Sequence, residues 1–423
     1  MTIAYLTTPL LGLVDTAVVG RLGDAALLGG LAAGAIVFDV AFATFNFLRT
    51  GTAGLVAQAY GRADRAEEQA VFWRAFAIAI ISGLLLIALT GPILWAGTAF
   101  IGGEAAVREA MALYVGIRLL CAPSALVNYA VLGYVLGRGE AGLGLALQAL
   151  VNGVNIALSI WLGLVLGWGI AGVAWGTVIA ETLGAIVGLV IIVVRFGRLG
   201  RVPRAMLTDL TAFRRMAAVN RDIMIRSFVL LGAFALFARQ GAQQGTLVLA
   251  ANAVLMNLFL VAGYFLDGIA TAAEQLAGRA VGARWRPAFD RTVRLTGVWG
   301  FALAGLATMV FMLFGEQLIA LMTTSPEVRG AALAFLPWAA ATALTGVLAF
   351  QMDGIFIGTT WSSDMRNCML ASLVVYVAAI WLLQPVFGNH GLWAALHVFL
   401  IMRGLTLAAL VPRRAEQTLG PVR

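Results

Sequence analysis

Long apolar runs recur along the whole chain, and the short breaks between them carry arginine. A helix of about 20 apolar residues spans roughly 30 Å of hydrocarbon. Twelve runs come close to that length or exceed it: 3–20, 27–60, 69–95, 106–137, 142–166, 170–194, 219–241, 246–280, 290–315, 327–358, 367–387 and 391–412. Lipid offers no water to backbone N–H and C=O groups, and a helix satisfies them within its own segment. The runs therefore predict an all-α integral membrane protein of about twelve transmembrane helices. Composition agrees: 61% of the 423 residues are hydrophobic and 11% charged, against about 25% charged in a soluble domain. The 49 glycines suit helices that pack closely in lipid. The second, fourth, eighth and tenth runs are longer than a bilayer needs and are expected to tilt, kink or project. Cys121 and Cys368 fall in or beside apolar runs and read as packing residues.

All 28 basic residues are arginine. They are scattered between apolar runs and form no basic domain, which excludes a nucleic-acid partner. Their distribution is lopsided. One set of connections, with the tail, holds 19, among them Arg62, Arg138, Arg198, Arg201, Arg204, Arg284 and Arg423. The opposite set holds four: Arg21, Arg108, Arg239 and Arg329. By the positive-inside rule both termini are cytoplasmic, in a bacterial inner membrane. No cleavable signal peptide is visible. The longest polar connection divides the chain into a lobe over 1–195, a cytoplasmic linker over 196–218, a second lobe over 219–412 and a cytoplasmic tail over 413–423.

The halves repeat. GTAGLVAQAYGRA (51–63) aligns with GIATAAEQLAGRA (268–280), matching Gly51/Gly268, Ala53/Ala270, Gln58/Gln275, Gly61/Gly278 and Arg62/Arg279. Gly133 and Gly137 match Gly354 and Gly358, and Gly172 matches Gly391, at nearly the same offset. A six-helix unit returns the chain to its starting side. Its duplicate is then parallel, related by an axis along the membrane normal, an arrangement suited to alternating access.

Five segments together resemble one family: PLLGLVDTAVVGRLG (9–23), FNFLRTGTAGLVAQAYG (45–61), GIAGVAWGTVIAE (169–181), YFLDGIATAAEQLAG (264–278) and FQMDGIFIG (350–358). They look like signatures of the multidrug and toxin extrusion (MATE) transporters, most of all the DinF-type branch. The resemblance runs through the whole chain. It implies two pseudo-symmetric six-helix bundles and export of organic solutes driven by inward H⁺ or Na⁺ flow. One departure lies at the start. Family members carry a bend-linked proline further upstream, whereas here Met1 already falls inside the first span and Pro9 is closer to the aspartate. Either the start is misassigned or the helix is short.

Ionisable groups inside the apolar runs are the candidate machinery, because a charge at mid-membrane costs about 2.5–3.5 kcal/mol on insertion scales. Asp15 lies six residues before Arg21, roughly 9 Å below that end of the span. Asn155 and Ser159 are one turn apart on one helical face, with Asn152 joining it, and Thr177 descends to a similar depth. Asp15, Asn155, Ser159 and Thr177 are expected to line one polar chamber, with Glu181 one turn deeper and Asn152 and Asp39 in support. A desolvated carboxylate holds a proton more tightly than one in water, and amide and hydroxyl oxygens can complete a cation site. The family resemblance implies an ion site at Asp15, Asn155 and Thr177, with a second aspartate where this chain has Ser159. One carboxylate fewer favours H⁺ over Na⁺. Asp267, Glu274 and Asp353 are candidates for substrate contact or gating in the second lobe, and Arg118 for a tie between helices. His390 and His397 are seven residues apart, but without acidic or thiol partners they make a poor metal site.

Enzyme motifs such as GxSxG, HExxH, the P-loop and CxxC are absent. The expected function is thus a secondary antiporter, monomeric in the bilayer, with small organic substrates and no cofactor beyond H⁺ or Na⁺. Two alternatives stay open. A lipid-linked precursor flippase would need more cationic residues inside its cavity. A non-transporting receptor or scaffold would need neither buried carboxylates at matched depth nor a duplication.

Overall fold

The computed structural model describes residues 2–101, 104–197 and 202–421. Arg198, Arg201, Met1 and Arg423 lie outside the described residues, as does the side chain of Arg204. Among the described residues there are helices and turns and no strand. In chain order the helices are α1 (Thr2–Gly20), α2 (Ala25–Ala43), α3 (Phe47–Gly61), α4 (Arg65–Ala88), α5 (Thr90–Ile101), α6 (Ala105–Leu119), α7 (Ala122–Gly137), α8 (Ala141–Ile160), α9 (Gly169–Gly197), α10 (Arg204–Leu207), α11 (Leu210–Ala242), α12 (Thr246–Gly282), α13 (Arg286–Met322), α14 (Pro326–Gly358), α15 (Ser362–Phe387) and α16 (Asn389–Leu419).

Nine described helices are long and apolar enough to cross a membrane, with α2 and α3 taken as one span. The pair α6–α7, bent by 53°, makes a tenth. α1 and α11 occupy the other two expected runs. The long runs resolve in different ways. The second breaks at a turn over 44–46, and the fourth bends just ahead of Pro123. α12 stays continuous for 37 residues, roughly 55 Å at 1.5 Å per residue, so it projects past the hydrocarbon. The third run is shorter than expected: α4 ends at Ala88 and α5 starts afresh at Thr90. α13 and α16 are longer, because arginines that break an apolar pattern still sit well on a helix end in the headgroup layer. α16 thus continues to Leu419, through much of the expected tail.

The chain divides into two compact units. One comprises Ile3–Tyr60 and Asp64–Met216, the other Gly61–Ala63 and Ala217–Arg423. In the first, α2 packs on α6, α4 on α7, and α8 on α9. In the second, α14 is the central helix, packed against α12, α13 and α16. Its core includes Phe237, Tyr376, Trp393 and Phe399.

The matched glycines do matched work. A Cβ built at Gly133 or Gly137 on α7 would meet the backbone oxygen of Arg49 or Ala53 on α3, each at 2.5 Å. Gly354 and Gly358 on α14 stand in the same relation to Ala270 and Glu274 on α12. Gly172 on α9 presses on the backbone at Leu162, and Gly391 on α16 on that at Leu383. Each pair lets two helix backbones touch, as small residues do in membrane interfaces. The duplication is therefore one of construction as well as of sequence.

Charged ties gather at the arginine-rich end of each unit. In the first, buried Glu68 accepts from Tyr134 Oη at 2.7 Å and is paired with Arg138, which also reaches Glu140 at 2.9 Å. In the second, Asp222 accepts from Arg366 at 2.7 Å and from Ser362 at 3.1 Å, and Asp364 pairs with Arg414.

Candidate functional site

α8 and α9 form an antiparallel pair whose backbones meet because α9 carries Gly172 and Gly176. A Cβ at Gly176 would stand 3.0 Å from the Ser159 backbone nitrogen. α8 ends in a π-helical turn over Trp161–Val165, and Gly163 in that turn lies against Val18 of α1. Three helices thereby converge, and four buried polar side chains fall into one row. Ser159 Oγ lies 2.9 Å from Asp15 Oδ1 and 3.2 Å from Asn155 Oδ1. Asn155 Nδ2 donates to Thr177 Oγ1 at 3.0 Å, and Thr177 Oγ1 donates to the Val173 carbonyl at 3.3 Å. Asp15 is 9% exposed and Ser159 is sealed.

The row has a property that follows from counting hydrogens. A serine hydroxyl has one to give. With Asp15 ionised, Ser159 donates to the carboxylate. With Asp15 protonated, the acid O–H can donate to Ser159, which frees the serine hydrogen for Asn155. The first link reverses direction and the second gains its hydrogen, while the heavy atoms keep their places.

The remaining candidates lie elsewhere. Asn152 and Glu181 do not join this row. Asn152 accepts from Gln148 at 3.1 Å, and Glu181 is bound by Asn128 Nδ2 of α7 through its carboxylate at 2.6 Å and its backbone oxygen at 2.9 Å. Asn128, Gln148 and Glu181 line a separate small cavity of about 80 Å³ among α7, α8 and α9. Asp39 and Arg49 do not share a helical face, because the break over 44–46 resets the phase between them. Arg49 Nε donates to Asn46 at 3.2 Å, while Asp39 is exposed and in the field of Arg118. Arg118 ties helices through a ring and not through an ion pair. Its guanidinium lies 3.6 Å over the Phe38 ring on α2 and donates to Tyr114 within its own helix at 2.8 Å.

In the second unit, Asp353 is buried and paired with both Arg226 and Arg403. Asp267 is half-buried in the field of Arg403, and Glu274 is buried further along α12. Sequence reasoning passed over Arg226, Arg403 and Asn128. The signal was present for the arginines: a guanidinium inside an apolar run needs a partner. For Asn128 there was none, since its partner is 53 residues away.

The MatE family model matches residues 1–161 and 223–382, two stretches of nearly equal length. The chain belongs to the MatE family. It is 38% identical over 420 residues to the DNA damage-inducible protein F of Escherichia coli (strain K12), covering 97% of this chain and 89% of that one. It is 24% identical over 442 residues to the probable multidrug resistance protein NorM of Chromobacterium violaceum, covering 99% and 93%. Its fold matches a multidrug resistance MATE family transporter of the MOP superfamily, solved in an outward-facing conformation, with a TM-score of 0.90 at 17% identity over 99% of this chain and 94% of that one. The chain is accordingly a MatE-family membrane transporter and not an enzyme.

Proposed function

We propose that this MatE transporter is a secondary antiporter that exports small organic solutes in exchange for H⁺, with Asp15 as the coupling group. The row Asp15–Ser159–Asn155–Thr177 carries the reading. It joins three helices through one titratable group, so a single proton changes both the charge of the region and the acceptor of the serine hydrogen. Ionised Asp15 leaves a negative charge that can hold a cationic or polarised solute. Protonation removes that charge and passes the serine hydrogen to Asn155, which lowers affinity for the solute and favours its release. The relatives described as multidrug resistance proteins support the solute class. Ser159 in place of a second carboxylate supports H⁺ over Na⁺, because dehydrating Na⁺ is better offset by two anionic ligands than by one. The bacterial relative and the arginine imbalance support an inner-membrane location with cytoplasmic termini.

Proteoliposomes with an imposed pH or Na⁺ gradient test this. Asp15→Asn is expected to abolish solute exchange driven by the pH gradient. Ser159→Asp is expected to raise the response to Na⁺. Unaltered pH-driven exchange in Asp15→Asn would remove the coupling role from Asp15.

A further inference from the structure

His397 lies on α16 in the second unit, 7% exposed, with a polar atom against each ring nitrogen. Nε2 is 3.1 Å from the backbone oxygen of Trp338, and Nδ1 is 2.7 Å from Thr345 Oγ1, both on α14. A carbonyl oxygen only accepts, so Nε2 carries a hydrogen. In the neutral ring Nδ1 then accepts the Thr345 hydroxyl hydrogen. In the charged ring Nδ1–H donates to Thr345 Oγ1. The hydroxyl hydrogen has another acceptor waiting in the backbone oxygen of Ala341, 3.2 Å away. Gaining a proton therefore breaks no bond at this site and turns two neutral hydrogen bonds into charge-assisted ones, which are stronger. The Trp338 ring, with its centroid 5.4 Å from the imidazole, also favours the cation.

His390, two turns earlier on α16, is built the other way. Its Nδ1 accepts from Trp338 Nε1 at 2.9 Å. A proton there would set N–H against N–H and break the bond. The chain has two histidines, and their Nδ1 atoms face a hydroxyl in one case and an N–H donor in the other.

The ionisable groups on the packed helices are engaged elsewhere. On α14 and α16, Asp353 and Arg403 bind each other. On α15, Asp364 and Arg366 sit at the opposite end, paired with Arg414 and Asp222, and Tyr376 packs on Phe399. α12 contributes Asp267 and Glu274, the first in the field of Arg403. Among the described residues no carboxylate lies within ion-pair distance of His397.

We propose that His397 is a second proton-binding group of this transporter, whose charging fastens α16 to α14 and adds a pH-dependent step separate from Asp15. The step's place in transport rests on the antiport reading above; the proton site does not. Histidine-selective ¹⁵N NMR of the full chain in nanodiscs reads the ring directly, and His390→Gln leaves His397 as the single histidine. The expected spectrum is an Nε2–H tautomer at high pH that converts reversibly to a doubly protonated ring as the pH is lowered. An Nδ1–H tautomer, or a ring that stays neutral down to about pH 4.5, below the ordinary histidine range, overturns the proposal. Transport is the second readout. Gln at 397 keeps a donor and an acceptor but cannot charge. His397→Gln is expected to exchange like the native chain at alkaline pH and to fall behind it by about tenfold at acidic pH, the worth of one charge-assisted hydrogen bond. Superimposable pH profiles overturn the added step. A ring that titrates normally in Asp15→Asn, while exchange is lost, supports two separate proton sites. A ring that titrates in a chain driven only by Na⁺ would overturn H⁺ exchange and the added step, while supporting the proton site.

Discussion

Asp353 and Asp15 show two fates for a carboxylate within the apolar runs. Asp353 is held by two guanidinium groups, Arg226 and Arg403, and is fixed as an anion that ties α11, α14 and α16. Asp15 is held by a hydroxyl, Ser159, which serves the protonated and ionised acid alike. A proton can therefore come and go at Asp15 without dismantling the fold, whereas at Asp353 it would leave the buried Arg403 and the half-buried Arg226 unbalanced. Removing one member of a buried ion pair typically costs about 3–5 kcal/mol. Asp353→Ala is expected to lower thermal stability sharply in detergent, measured by the temperature at which the protein loses monodispersity. The double variant Asp353→Leu, Arg403→Met should recover part of that loss. If Asp353→Ala melts with the native protein, the triad is not a structural tie.

At the scale of elements, close backbone contacts decide where the polar residues end up. Gly172 and Gly176 draw α9 onto α8, and that approach puts Thr177 within reach of Asn155. The same device appears at Gly133, Gly137, Gly354 and Gly358, where an added Cβ would collide with the backbone of the facing helix. Backbone cannot move aside as a flexible side chain can, so the helices would have to separate along their length. Gly354→Val is expected to leave little folded protein after size-exclusion chromatography, while Gly330→Ala, with nothing within 4 Å of its added methyl, should purify like the native chain. Equal yields from the two would mean that α14 can shift away from α12 at little cost. The break at residues 44–46 is the counter-case, since it puts Asp39 and Arg49 on separate helices, α2 and α3, where ten residues of one helix would have set them near one face.

For the whole molecule, orientation is the property with a clear physical rule and a direct measurement. The 19-to-4 division of arginines is expected to retain one set of connections on the cytoplasmic side, because cations cross an energised membrane reluctantly during insertion. In a background with Cys121 and Cys368 replaced by Ala, Glu104→Cys is expected to react with a membrane-impermeant maleimide on intact cells. Ala283→Cys should react only after the membrane is permeabilised. The reverse pattern would invert the topology and, with it, the direction assigned to proton flow.

The segments, the duplication and the family were readable from the sequence because each rests on local pattern: apolar length, spacing of matched glycines, and short motifs in order. Asp15, Asn155, Ser159 and Thr177 could be grouped by depth, since depth along a helix is a matter of counting residues. Rotation about the helix axis is not. It depends on which side chains the neighbouring helices admit, and only packing decided that Ser159 meets Asp15 while Glu181 meets Asn128. The arginine partners of Asp353 and the acceptors of His397 were hidden for the same reason. Each joins residues dozens of positions apart, and a hydrogen bond a few ångströms long exists only once helices are seated against one another.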